Sequence, residues 1–308
     1  MDVYSIKNST INSIKLNPFK KERDIQNLVE KNTEKLFGVE FICSEFTIGQ
    51  FRMDTLCFNN ESNSFTIIEY KRGSSYSVID QGYSYLSKML NNKSDFILEY
   101  NERLNKNLKR DQIDWSQSKI IFVSTSFNSY QKNSVNFQDI PFELWEIKRF
   151  SNDTIVINQH QSKSNESIQK VISKDNSMIS QVNQEVTVLS EDYHKNRRKG
   201  TSEDVKDLYE TLKERVLLLG DFEVRPLKKY IGFISKTNFI DIEFQTQNLL
   251  LHINLKKGEL DDPKKITRDV SKLGHYGNGD YELRISPDQT DLDYIMFLVK
   301  QSFNKHQK

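Results

Sequence analysis

A chain of 308 residues is long enough for two domains, each with its own core. Its net charge of +1, with 28% charged residues, provides no global basic field, so any contact with nucleic acid must come from local patches. Cys43 and Cys57 lie in apolar, strand-like contexts without a CxxC or zinc spacing, and the histidines form no HExxH or HxxxH pair. This disfavours a disulfide scaffold and a zinc enzyme, and reads as a cytoplasmic protein with buried, reduced thiols. No apolar run approaches a membrane span, and no charged-then-apolar signal layout opens the sequence.

Residues 1–16 alternate Val3, Tyr4, Ile6, Ile11 and Ile14 with Ser, Asn and Thr, which predicts a short strand or hairpin leading into the core. A helix follows from about Pro18 to Gly38, with Ile25, Leu28, Val29, Asn32 and Leu36 on one stripe. At about 100° per residue, Glu22 falls roughly 60° from Ile25 and Glu30 roughly 140°. Glu22 is therefore expected toward the sheet and Glu30 in solvent. Residues 39–48 read as the first core strand.

The next stretch is the most informative. Residues 51–58 and 65–71 are β-branched or aromatic and flank a connection of turn-formers, which predicts a hairpin. Folded symmetrically, it sets Phe58 opposite Phe65, Leu56 opposite Ile67, Asp54 opposite Glu69 and Arg52 opposite Lys71. With a period of two, all of these share one face. The other face (Met53, Thr55, Cys57, Thr66, Ile68, Tyr70) is also largely apolar, as in a buried sheet. Two carboxylates facing each other in such a place repel, and burial would neutralise one unless a cation joins them. A hard divalent ion that keeps part of its water fits this arrangement. Lys71 lies where it would hold a water or a phosphate oxygen.

Ser77 is placed to cap a helix over 78–90, in which Gln81 and Tyr85, four residues apart, share a face. Residues 101–115 are polar and basic, and read as either a DNA-facing or a solvated helix. Residues 119–124 form a buried strand, 126–135 a short helix and 141–150 a final strand. The sum is a mixed sheet flanked by helices. Residues 158–200, dominated by Ser, Asn, Gln and Lys, read as a linker with room for a short helix on the weak apolar spacing of Ile168, Val171, Ile172 and Ile179, and with a basic end at 195–199 that either follows a phosphate backbone or is solvated. The divisions are therefore 1–157, a linker over 158–200, and 201–308. The last is a smaller α+β domain with helices at 202–217 and 292–303, several strands, and a further helix after Pro263. Its glycine-rich loop at 274–280 is not a Walker A motif; it reads as a turn requiring positive φ, with Arg268, Lys272, His275 and Tyr276 as weaker binding candidates.

Asp54 followed by Glu69-x-Lys71 resembles the PD-(D/E)xK nuclease superfamily. Gln81-x-x-x-Tyr85 looks like the QxxxY element of its RecB-type and NucS-type branches, and Glu22 to Gln26 like a NucS-type helix start. Met53 departs from the pattern, since a proline often precedes the Asp. The resemblance covers about 17–150 and implies an α/β restriction-endonuclease-like core and a magnesium-dependent deoxyribonuclease, with manganese as a substitute and RNA left open. It implies Asp54, Glu69 and the Tyr70 carbonyl as metal ligands, with Glu22 completing the site. Lys71 would act on the attacking water, Gln81 and Tyr85 would orient, and Arg52 and Arg72 would meet neighbouring phosphates. A double-strand cutter with one site per chain would need a homodimer. The C-terminal part resembles a domain of unknown function found behind such nucleases and often labelled a predicted transport protein. A nuclease fold that binds without cutting is the alternative.

Overall fold

A computed structural model describes residues 2–71, 77–137, 139–160, 164, 166–168, 177–274, 278–288 and 290–307. The chain forms two units, Met1–Val188 and Leu189–Lys308.

Unit 1 opens with a hairpin of β1 (Val3–Lys7) and β2 (Thr10–Ile14). This hairpin forms its own two-stranded sheet, and Tyr4, Ile6 and Ile11 are exposed, so it does not lead into the core as the sequence suggests. Two helices follow, α1 (Glu22–Glu30) and α2 (Thr33–Phe37), in place of the single helix expected. Asn32 separates them, and Gly38 ends the second in the left-handed conformation, φ 65°. Then come β3 (Glu40–Ile48), β4 (Phe51–Asn59), β5 (Ser64–Lys71), α3 (Val78–Asn91), α4 (Lys93–Leu104), β6 (Lys119–Ser124), α5 (Ser129–Ser134), β7 (Phe142–Arg149), β8 (Ile155–His160) and α6 (Ser177–Glu185). Only the first part of 101–115 is α-helical; short 3-10 turns follow at Arg110–Gln112 and Trp115–Gln117. Its basic residues are partly neutralised, Arg103 by Glu99 at 2.8 Å and Lys106 by Glu40 at 2.7 Å.

The strands make one mixed sheet in the order β3-β4-β5-β6-β7-β8, parallel at β5-β6 and β6-β7 and antiparallel elsewhere. Both faces are apolar and both are covered. On one, Leu56, Phe58, Phe65, Ile67, Ile120 and Phe122 pack with Val78, Leu86 and Met89 of α3 and Phe96 of α4. On the other, Cys57, Ile68, Tyr70, Ile121 and Val123 pack with Ile25 and Val29 of α1 and Phe37 of α2. Removing these side chains from water is the main drive for the layered arrangement. Gly82 lets α3 lie close to the sheet, because a Cβ there would sit 2.6 Å from the Phe142 ring.

The stretch expected to be a linker divides between the units. Ile179, Val182 and Val186, in and just after α6, are buried in the first core. Unit 2 begins with α7 (Glu191–Asn196), whose His194 is buried and donates from Nε2 to the Leu227 carbonyl at 2.7 Å. It continues with α8 (Glu203–Leu217), β9 (Glu223–Pro226), β10 (Ile231–Ile234), β11 (Asn238–Phe244), β12 (Leu249–Ile253), β13 (Arg268–Asp269), β14 (Tyr281–Ile285) and α9 (Leu292–His306). Its sheet is antiparallel throughout, in the order β13-β14-β12-β11-β10-β9. The apolar sides of α8 and α9 cover one face. The helix expected directly after Pro263 is absent from 263–274; the chain runs irregularly into β13. Gly279 serves close approach rather than positive φ, since a Cβ there would lie 1.9 Å from the Ile253 carbonyl oxygen. No helix among the described residues is long and apolar enough to cross a membrane.

Candidate active site

The hairpin register agrees with the sequence near its turn, where Phe58 pairs with Phe65 and Leu56 with Ile67. Among the described residues the β4-β5 ladder then stops at Thr55 and Ile68, while β4 stays paired with β3 as far as Phe51. The sheet forks there, and the expected Asp54–Glu69 and Arg52–Lys71 pairs are not ladder pairs. Side chains take over at the fork. Asp54 Oδ2 accepts the Tyr70 N–H at 3.0 Å, and Glu69 Oε2 lies 3.5 Å from the Asp54 nitrogen. The carboxylates are thus held by backbone groups that have left the ladder, not merely stacked on one face.

Glu69 is buried, and one of its oxygens is doubly engaged: Oε1 accepts from Lys71 Nζ at 3.0 Å and from Gln81 Nε2 at 2.8 Å. Gln81 also reaches Tyr85 OH at 3.0 Å, and that hydroxyl donates to the Arg52 carbonyl at 2.9 Å. Helix α3 therefore ties β4 to β5 across the fork, and Asp54, Glu69, Lys71, Gln81 and Tyr85 come together. Burial and the neighbouring Asp54 charge push the Glu69 carboxyl up to about 7, against which Lys71 acts. Burial also raises Asp54, opposed by the Tyr70 N–H and Lys71 and reinforced by Glu45 and Glu22.

Glu22 is exposed at the start of α1 and acts on Asp54 through its charge. The residues of α1 that make hydrogen bonds here are others. Gln26 is buried and donates to the Asp54 carbonyl at 3.1 Å and to Glu30 Oε1 at 2.9 Å. Glu30 is not solvated as its helical angle suggested. It is half-buried and accepts the Thr55 hydroxyl at 2.7 Å, which in turn lies 3.2 Å from Tyr70 OH. The Arg52 guanidinium pairs with Glu45 at 2.7 Å, so the phosphate contact expected of it meets a carboxylate already in place. Arg72, His275 and Tyr276 lie outside the described residues. The basic run at 195–199 is largely committed within unit 2, Lys195 to Glu210 at 2.6 Å and Arg198 to Glu243 at 2.5 Å. Arg268 stands 3.7 Å from Glu282, and Lys272 is exposed.

The donor set at the fork is hard and anionic, as a magnesium-type ion requires. Two raised carboxyls pressed together are what a divalent cation would relieve. Among the described residues no group of three or more His, Cys, Asp or Glu side chains gathers to hold a metal. A cation here would depend on two side-chain carboxylates, with main-chain, water and substrate oxygens supplying the rest.

A protein of Haemophilus influenzae described as "Uncharacterized protein" is 45% identical over 304 residues, covering 98% of this chain and 99% of its own. The chain belongs to the family of that protein. Residues 191–306 match the family described as "Domain of unknown function (DUF5655)". Among solved structures, one described as an EndoMS–dsDNA complex is similar over 43% of this chain and 47% of its own, at 16% identity and a TM-score of 0.23. A repair endonuclease from Pyrococcus abyssi is similar over 43% and 59%, at 14% identity and a TM-score of 0.21. The matched stretch spans about half the length of those solved chains. At such scores the fold rests on the topology described above.

Proposed function

We propose that the chain is a metal-dependent nuclease that hydrolyses phosphodiester bonds in DNA, acting in DNA repair or in defence against foreign DNA. The observation that carries this reading is the fork itself: Asp54 and Glu69 side by side, with Lys71 Nζ 3.0 Å from Glu69 Oε1 and Gln81 behind the same oxygen. Asp54, Glu69 and the Tyr70 carbonyl would hold magnesium, with manganese as a substitute. When bound, the ion would supply Lewis-acid stabilisation of charge on the scissile phosphate. Lys71 Nζ positions the attacking water by donating a hydrogen bond to it. Gln81 and Tyr85 fix Glu69 and the Arg52 carbonyl, which keeps the two strands in place during the reaction. Glu22 adds negative charge near Asp54 and strengthens the attraction for a cation. A cutter of both strands with one such site per chain would act as a dimer.

One observation favours a second reading, a nucleic-acid-binding module that no longer cuts. Glu69 Oε1 is already taken by two donors, which lowers its availability to an ion. Labelled DNA and RNA incubated with magnesium or manganese separate the two readings. The nuclease cuts, and Asp54→Ala and Lys71→Ala each abolish cutting. The silent module binds without cutting, and both variants still bind.

A further inference from the structure

Among the described residues of unit 1, Glu45 is the one with a positive φ inside a strand. It lies inside β3 between the Ser44–Thr55 and Phe46–Met53 pairs, so it falls opposite Asp54, yet its φ is 58°. An extended strand does not use that region, and a residue with a side chain is held there only by its surroundings. The alternation of faces resets at this point. Cys43 and Phe46, three residues apart, both enter the same core, as do Leu56 and Met53 on the partner strand. The displaced Glu45 carboxylate receives a guanidinium on each oxygen, Arg23 Nη1 on Oε1 and Arg52 Nε on Oε2, both at 2.7 Å. Arg23 comes from α1 and Arg52 from β4. Arg23 also donates to Gln26 Oε1 at 3.1 Å, and Gln26 donates to the Asp54 carbonyl. The contacts thus lead from the candidate catalytic Asp54 to both arginines and the carboxylate between them.

Two guanidiniums from separate elements, converging on the two oxygens of one anion, are also a geometry for a phosphate with two non-bridging oxygens. We propose that Arg23 and Arg52 form a clamp for a backbone phosphate next to the scissile bond. Glu45 occupies it in the free protein and yields to the phosphate on binding. The exchange is cheap because the pair is exposed, with Arg23 at 54% and Arg52 at 67% side-chain exposure. It is selective, because a ligand without two anionic oxygens gains nothing by displacing Glu45. This deepens the nuclease reading and rests on it for the scissile bond, but the clamp can be tested without cleavage.

The test measures equilibrium binding of the full chain to a labelled DNA duplex in EDTA over a range of salt, and thermal stabilisation by inorganic phosphate. Glu45→Gln keeps the shape and removes the competing charge. It should bind DNA up to about tenfold more tightly, the worth of two exposed ion pairs, and gain a larger phosphate shift than wild type. Arg23→Gln and Arg52→Gln should each weaken binding and reduce the slope of log K against log salt by about 0.9. Absence of DNA binding by Glu45→Gln, or binding equal to or weaker than wild type with no change of slope in either arginine variant, overturns the clamp. If wild type nevertheless cuts DNA, the nuclease reading survives that loss. If the clamp effects appear and no substrate is cut, the clamp stands and the nuclease reading falls.

Discussion

Gln81 Nε2 reaches Glu69 Oε1 at 2.8 Å, the same oxygen that takes Lys71 Nζ at 3.0 Å. One amide from α3 thereby fixes the rotamer of a buried carboxylate on β5, and that carboxylate in turn holds the lysine. Gln81→Ala removes that support without removing any proposed ligand. The expected result is a loss in kcat of about 10- to 100-fold with the fold intact, as for removal of other groups that orient a metal ligand. A raised magnesium requirement in steady-state assays should accompany it; unchanged kcat and magnesium dependence would contradict the role.

The Glu69 carboxyl, raised from 4.5 to about 7 by burial and by Asp54, makes the metal-free unit lose stability with rising pH. Between pH 4.5 and 7 the folded state binds more protons than the unfolded one, so stability present below pH 4.5 is lost as pH passes 7. Glu69→Gln should remove most of this dependence and raise the urea midpoint at pH 8, while eliminating cleavage. Both tryptophans, Trp115 and Trp145, belong to unit 1, so their fluorescence reports this unit. A urea midpoint at pH 8 that falls in Glu69→Gln would contradict the assignment.

His194 gives unit 2 the opposite dependence. Burial lowers its pKa from 6.5 to about 4, so the unfolded state binds more protons between these values, and stability is lost as pH falls from 6.5 toward 4. His194→Gln should flatten that loss. Backbone hydrogen exchange in 201–308, compared at pH 7 and pH 5 after correction for intrinsic rates, measures it. Equal protection changes in the two proteins would rule His194 out as the cause.

Much of unit 1 was legible because its signals are local. Phe58 and Phe65 fix the hairpin register around a polar turn, and Gln81 and Tyr85 share a face by helical spacing alone. The sequence could not reveal that the ladder stops at Thr55, because that depends on β4 following β3 away from β5. Glu45 was invisible for the same reason; its place opposite Asp54 arises from a displaced backbone within β3. Glu30 was misread because its helical angle from Ile25 ignores Thr55 and Gln26, which fold around it. The serine- and asparagine-rich composition of 158–200 reads as a linker with a short helix, and it hides that the few apolar side chains of α6 pack into the core of unit 1. In the glycine-rich loop, Gly279 needs space beside Ile253, a requirement that composition does not display, while Gly277 lies outside the described residues.

Gly82 sets the distance of α3 from the sheet. A methyl group there would lie 2.6 Å from the Phe142 ring, so helix or ring must move. Gly82→Ala should destabilise unit 1 by about 1–3 kcal/mol, the usual cost of overpacking. It should also lower cleavage by more than Gln81→Ala, because Gln81 and Tyr85 would both shift. Urea unfolding followed by tryptophan fluorescence, beside a cleavage assay, tests both parts.

The central claim is that the fork between β4 and β5 is a metal-dependent phosphodiesterase site. The most direct test is cleavage of labelled DNA, with RNA alongside, at fixed magnesium or manganese by wild type, Asp54→Ala and Lys71→Ala. Cutting by wild type that requires the ion and disappears in both variants is the predicted result. Clean wild-type protein that cuts no substrate under either ion, or variants that cut as well as wild type, would contradict it.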